Sequence, residues 1–333
     1  MAAKEVRSLR LPQTVEVIRG NIVKHGNPLA LKGAEIAAWA KELDLPRQGE
    51  VLLYTGGEYQ LIPFIDSLVQ AMTAVGQGSR SFSLMMGVRN LMDRAGISVE
   101  KLYASVLAKD RERFNLVSYK AARVLGELGL ELCYLGEEEI YSGALLYEFG
   151  FWDDLRAHAE RVASLIESTG ARTVICLSPH SAEVLKLVYP KLVDGFELEV
   201  KTFVEALSEL MREGRRLRSG FSGAVVVHDS CRLARELGIT EEIRDILAAM
   251  DGLTVVEAEQ NRRWTTCCGG PAKVLFPEIS SQIAVHRAGE LEETGADLAL
   301  TFCPYCLAAV DKGVRGKGIR VEDFIEFVYR GIA

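Results

Sequence analysis

No cysteine precedes Cys133 in this 333-residue chain, and that gap excludes a ferredoxin-type ligand run in its first part. Long hydrophobic runs are also missing, since no apolar stretch reaches the roughly 18 residues that a spanning helix needs. The opening MAAKEVRSLRLPQT lacks the apolar core of a signal peptide, which makes the cytoplasm the expected compartment, where thiols stay reduced. A basic excess is absent too. With 39 Lys and Arg against 46 Asp and Glu, the net charge of −7 leaves no electrostatic footprint for a nucleic acid. Glycines spaced for a dinucleotide fingerprint do not occur, and Gly56-Gly57 alone resembles a phosphate loop only faintly. What remains is an ordinary globular composition, 48% hydrophobic and 26% charged, long enough for two domains of about 150 residues each.

Against these absences stands one concentration. Five of the seven cysteines, Cys231, Cys267, Cys268, Cys303 and Cys306, follow the spacing C-x35-C-C-x34-C-x2-C. A long chain without a leader does not build a disulfide framework this way, so clustered thiolates point to a soft metal centre, iron–sulfur first and zinc second. Three cysteine sites far apart in sequence meet readily where ligands sit at the carboxyl ends of neighbouring strands of an α/β sheet.

The hydrophobic pattern agrees. Residues 1–50 read as a helical arm, with helices at Glu16 to Lys24 and Lys32 to Leu43 broken by Gly26-Asn27-Pro28. It either packs on the first domain or docks a partner. An α/β unit then spans 51–215, with strands at Val51–Tyr54, Leu130–Tyr134 and Thr173–Cys176, and a further strand and helix within 197–211. Its helices are expected at Leu61–Met72, Asp153–Glu167 and through Ser181 to Val188. The stretch 77–124 reads as an insertion, with Met85, Met86 and Met92 as core filler and a solvated helix pair behind them. Arg212 to Ser222 forms the linker to a second unit, 216–333. There strands are expected at Ala224–Val227, Leu253–Val256 and Leu298–Phe302, and helices at Glu241–Met250, Glu278–Glu293 and Val321–Tyr329.

The two units are a pseudo-repeat. Ser168-Thr169-Gly170-Ala171 stands before Ser178 as Glu293-Thr294-Gly295-Ala296 stands before Cys303, which sets Ser178-Pro179-His180-Ser181 on Cys303-Pro304-Tyr305-Cys306. Tyr141-Ser142-Gly143 falls on Cys267-Cys268-Gly269 and Gly57 on Cys231. The first unit thus keeps the scaffold and lacks all five ligands, leaving His180 and Ser178 to line a vestigial pocket. Cys133 and Cys176 lie on apolar strands, as buried and inert thiols.

His228-Asp229-Ser230-Cys231, Cys267-Cys268-Gly269-Gly270 and Cys303-Pro304-Tyr305-Cys306 resemble the cysteine-rich CCG domain. That domain occurs as a tandem pair in heterodisulfide reductase subunits of the B and D type, and in iron–sulfur subunits of glycolate, lactate and glycerol-3-phosphate dehydrogenases. The likeness covers 51–333, as scaffold alone in the first half. It implies two Rossmann-like half-domains with small parallel sheets, and one 4Fe–4S cluster of the non-cubane kind on Cys231, Cys267, Cys268, Cys303 and Cys306. The connector from Gly26-Asn27-Pro28 through Trp39 to Val51-Leu52-Leu53 is similar to the one that follows a two-cluster ferredoxin domain in fused relatives. A separate ferredoxin-like subunit, of the C type in heterodisulfide reductases, is the implied partner, beside a flavoprotein, and either can bring the chain to a membrane.

Around the cysteines, Gly269 and Gly270 let backbone N–H groups approach the cluster sulfurs. His228 is a packing or proton-carrying neighbour, Arg263 offsets an anionic cluster or is merely solvated, and Trp264 covers it; Lys273 is a weaker candidate for the role of Arg263. Three functions compete: an electron-transfer subunit of an oxidoreductase, a catalytic disulfide reductase, and a zinc-stabilised scaffold. Zinc takes four ligands and leaves one of the five thiolates without a role.

Overall fold

The computed structural model describes residues 11–75 and 111–332. Among these residues, eight short strands form two four-stranded parallel sheets. In the first, β1 (Val51–Tyr54), β2 (Leu132–Cys133), β3 (Thr173–Cys176) and β4 (Glu199–Thr202) lie in the order β2-β1-β3-β4. The second, from β5 (Gly223–Val227), β6 (Leu253–Val256), β7 (Leu298–Thr301) and β8 (Arg320–Asp323), has the matching order β6-β5-β7-β8. Runs such as Val225-Val226-Val227, wholly buried, suit strands covered by helices on both faces. The register repeats as well, with Val51 beside Thr173 and Val225 beside Leu298. The fold class is therefore α/β with two like halves behind a helical N-terminal segment.

Several helices fall where periodicity predicts them, although the expected helix Lys32 to Leu43 is a short α-turn Gly33–Ile36 followed by the 3-10 turn Ala37–Ala40. Trp152–Ser168 buries Leu155, His158, Ala159, Val162 and Ile166 on one stripe and carries Asp153 and Asp154 in its first turn, where carboxylates favour the helix dipole. Phe203–Arg212 opens on a reciprocal cap between Thr202 and Glu205.

The end of the chain differs from expectation. Val321 to Tyr329 is not one helix: Arg320–Asp323 pairs with β7, and Asp323 then caps the helix Phe324–Tyr329 by accepting from the Ile325 N–H. Alternation over four residues is too short to stand out ahead of an apolar run. The helix Pro304–Gly313 was also not foreseen.

The methionine-bearing part of the insertion lies outside the described residues. The helix Arg111–Glu127 is no solvated element, because Phe114, Val117, Ala121, Ala122, Val124 and Leu125 are buried. Mixed charges on its other face concealed that stripe. The N-terminal segment also belongs to the core. Ile22 and Ile36 are buried, the Trp39 ring lies 4.7 Å from that of Tyr134, and the Asn27 side chain bonds Leu29, Leu31 and the Leu31 carbonyl. Among the described residues, no helix is long and apolar enough to cross a membrane.

Glu139 illustrates how tightly the first half closes. Its buried carboxylate accepts from the Thr55 N–H at 2.8 Å, from the Thr55 hydroxyl and from Tyr134. Burial nevertheless raises it to about 7, against hydrogen bonds that pull the other way. A carboxyl raised on folding stabilises fully below its unfolded value near 4.5, and that contribution is lost as pH rises to about 7. Glu139→Gln keeps the acceptor for the Thr55 N–H, and the two hydroxyls can reverse to accept from its amide. Urea melts of this variant should show a flatter stability profile between about pH 4.5 and 7, with a difference of roughly 3 kcal/mol across the window. An unchanged slope would mean that this carboxyl is ionised in the fold.

Candidate metal centre

Each of the five clustered cysteines follows the carboxyl end of a strand in the second sheet. After β5 the chain passes through His228, Asp229 and Ser230, all buried, to Cys231. Asp229 ties this turn to the next loop. Its carboxylate accepts from both terminal nitrogens of Arg244 and, at 2.7 Å, from the Arg262 N–H, while Thr265 donates to its carbonyl at 3.0 Å.

The loop after β6 delivers Cys267 and Cys268. Gly269 turns the chain at φ +80°, and a Cβ there would lie 2.5 Å from the Ser280 carbonyl oxygen. A Cβ on Gly270 would lie 2.9 Å from that of Tyr305. Only glycines permit this approach. It brings the Gly269 N–H to 3.3 Å from Cys267 Sγ and the Gly270 N–H to 3.3 Å from Cys268 Sγ. After β7, Cys303 is extended at φ −155° and stands before Pro304, the first residue of the helix Pro304–Gly313. Cys306 lies in its first turn, where the helix N-terminus favours negative charge.

The five thiols adjoin one another in the order Cys231, Cys267, Cys268, Cys306 and Cys303, each close enough to perturb the proton of the next. Neighbouring thiols cannot all ionise, so protons are shared. Hydrogen bonds from Cys231 and Cys268 pull Cys267 down to about 2. Cys303, despite burial, is held well below the ordinary thiol range by Cys306 and His180. The bond to Cys267 pushes Cys268 up to about 12, and Cys231 and Cys306 are raised as well. A ring nitrogen of His228 lies within 4.8 Å of the Cys268 and Cys306 sulfurs. Five convergent sulfurs, two of them pulled towards the thiolate form, fit a soft metal group. Cys268, Cys303 and Cys306 are buried and Cys231 and Cys267 half-buried, so the set has one edge towards solvent.

The first half supplies part of the wall. The His180 ring stacks 4.5 Å from that of Tyr305, faces Cys303, and meets Glu148 at 2.9 Å through Nδ1. Glu148 and Glu183 in turn accept from Arg232, beside Cys231, at 2.8 and 2.7 Å. His180 thus borders the cysteine cluster of the second half, a contact that the sequence register, comparing each half with the other, does not reveal.

At the equivalent place in the first half there is no cluster of thiols. Ser178 donates to the Glu58 carboxylate at 2.6 Å, Ser181 donates to the same group, and Ser181 bonds Ser142 at 2.9 Å. Burial raises Glu58 to about 7. A carboxyl and three hydroxyls occupy the space expected as a vestigial pocket, and hard oxygens are a poor set for a soft metal. Of the remaining candidates, Arg263 is exposed and Trp264 is 81% exposed on the turn Arg262–Trp264. Lys273 is buried against Asp66 of the first half. Cys133 and Cys176 are buried in β2 and β3, apart from the thiol chain.

Residues 225–311 match the CCG family model, the cysteine-rich domain. The chain is 27% identical to the probable iron–sulfur-binding oxidoreductase FadF of Bacillus subtilis, over 66% of this chain and 32% of that protein. It is 28% identical to the D-type subunit of the dihydromethanophenazine:CoB–CoM heterodisulfide reductase of Methanosarcina barkeri, over 64% of this chain and 54% of that one. The EtfAB:quinone oxidoreductase of Syntrophomonas wolfei is 27% identical over 74% of this chain and 37% of its own length. The chain therefore spans from about a third to about half of these relatives. Over residues 225–311 it is thus similar to the cysteine-rich CCG domain.

Proposed function

We propose that this chain is the iron–sulfur subunit of a multi-subunit oxidoreductase, passing electrons between a ferredoxin-like or flavin partner and an acceptor. The observation that carries it is the continuous set of five thiols at the ends of β5, β6 and β7. Cys231, Cys267, Cys268, Cys303 and Cys306 would hold one 4Fe–4S cluster, and the fifth thiolate favours a non-cubane form over a cubane, which needs four. When bound, such a cluster supplies a one-electron redox centre. The chain's residues do the rest. Gly269 and Gly270 aim N–H groups at Cys267 and Cys268, which stabilises negative charge on sulfur. Arg232, pinned by Glu148 and Glu183, sets a cation beside Cys231. The half-buried edge at Cys231 and Cys267 leaves a face where a partner can approach.

That same edge favours a second reading, disulfide reduction at the cluster, since a substrate sulfur can reach it. The oxygen-filled equivalent in the first half argues for transfer instead. Cleaving a disulfide takes two electrons, and this chain offers one centre. Native purification under anaerobic conditions, followed by mass spectrometry, separates the two. The transfer reading expects a ferredoxin-like or flavoprotein subunit to accompany the chain, and a lone chain that reduces disulfides at full rate would overturn it. Cys133→Ala and Cys176→Ser should leave the EPR signal of the reduced protein intact, because both thiols lie in strands outside the ligand set. Loss of signal in either would assign the ligands wrongly.

A further inference from the structure

We propose that Arg287 fixes the His228 imidazole as an N–H donor to the sulfurs of the metal centre, so that His228 is neither a metal ligand nor a proton carrier. The proposal rests on the cluster assignment above and goes further, naming a positioning residue that lies 56 residues beyond Cys231.

Arg287 is fully buried, at 0% exposure, in the helix Pro277–Glu292. Its Nε donates to His228 Nδ1 at 3.0 Å, and one terminal nitrogen donates to the Gln260 carbonyl at 2.9 Å and to Glu290 at 2.8 Å. A guanidinium has donors alone and keeps its charge. Nδ1 must therefore present its lone pair, and the imidazole hydrogen resides on Nε2. The ring is placed by β5, with the His228 backbone N–H bonded to Leu300 at 2.9 Å. Nε2 is buried and meets no partner among the described residues, while a ring nitrogen lies within 4.8 Å of the Cys268 and Cys306 sulfurs.

A buried N–H without an acceptor is destabilising, because its desolvation is not offset. A thiolate or sulfide at the centre would supply that acceptor. Ligation through Nε2 would require its hydrogen to move to Nδ1, where it would meet the Arg287 N–H head-on. A second proton on Nδ1 meets the same obstacle. The remaining role is donation to sulfur, which favours the more negative, reduced state and raises the reduction potential.

Two measurements on the full chain, purified anaerobically with 15N-labelled histidine, test this. Long-range proton–nitrogen NMR of the metal-free chain reads the tautomer without any cluster. His228 should remain the neutral Nε2–H form from about pH 5 to 8, where an ordinary imidazole titrates, and the Nδ1–H form would overturn the proposal. In the iron-loaded chain, EPR-monitored potentiometry should find that His228→Phe keeps its iron but has a lower midpoint. The reduced-to-oxidised ratio at fixed potential should fall about tenfold, or about 59 mV for one electron, with partial recovery in His228→Gln, which retains an N–H. An unchanged midpoint in His228→Phe, or pulsed-EPR nitrogen coupling of a directly bound imidazole, would overturn it. Arg287→Lys should lower the midpoint with iron retained. Absence of iron from the wild-type chain would sink the cluster assignment instead, and the NMR result would stand apart from that failure.

Discussion

Arg244→Met is expected to destabilise the protein by roughly 3–5 kcal/mol, the cost of leaving one partner of a buried ion pair without the other. Asp229 is 0% exposed, and its carboxylate is met by two nitrogens of Arg244 and the Arg262 N–H. Removing the guanidinium strands an anion with a single donor. The same side chain also holds Glu257 at 2.8 and 3.0 Å, but Glu257 is partly exposed, so Glu257→Gln should cost under about 1 kcal/mol. The contrast separates the buried contact from the solvated one. Because Asp229 joins the turn of Cys231 to the loop of Cys267, Arg244→Met should also lower metal content although no cysteine is touched. Urea denaturation with matched metal analysis checks both, and a wild-type midpoint in Arg244→Met would contradict the account.

Cys303→Ala is expected to have the largest effect on the metal centre, removing or converting the cluster altogether. Cys303 is buried, and Cys306 and His180 hold its thiol below the ordinary range, at the inner end of the thiol set. Water has little access there to replace a missing ligand. Cys231, half-buried at the other end, has room for solvent or a small thiol, so Cys231→Ser should leave partial occupancy where Cys303→Ala leaves none. Absorbance near the sulfur-to-iron bands, taken with iron content, reads this difference. Full iron in Cys303→Ala would remove that residue from the ligand set.

The candidate ligand set was legible in the sequence because its carriers are local. Cys267-Cys268-Gly269-Gly270 and Cys303-Pro304-Tyr305-Cys306 each lie on one turn, and β3, β1 and β6 begin and end where their apolar runs do. The pairing of halves was legible from the offset between Ser178 and Cys303, and the strand register agrees with it. What escaped are contacts between distant side chains. Arg287 on His228, His180 on Cys303, and Tyr59 on Asp323 at 2.7 Å, 264 residues apart, leave no periodic trace. β8 escaped for a different reason, since Val321 and Asp323 alternate for only four residues before a helix takes over. Its counterpart in the first half, β4 followed by Phe203–Arg212, was the signal that would have found it.

The central claim is one cluster on one half of the chain. Iron and acid-labile sulfide analysis of the anaerobically purified wild-type protein, with zinc measured on the same sample, tests it most directly. The account predicts about four irons and no stoichiometric zinc per chain. Twice that iron content, or one zinc in its place, would contradict it.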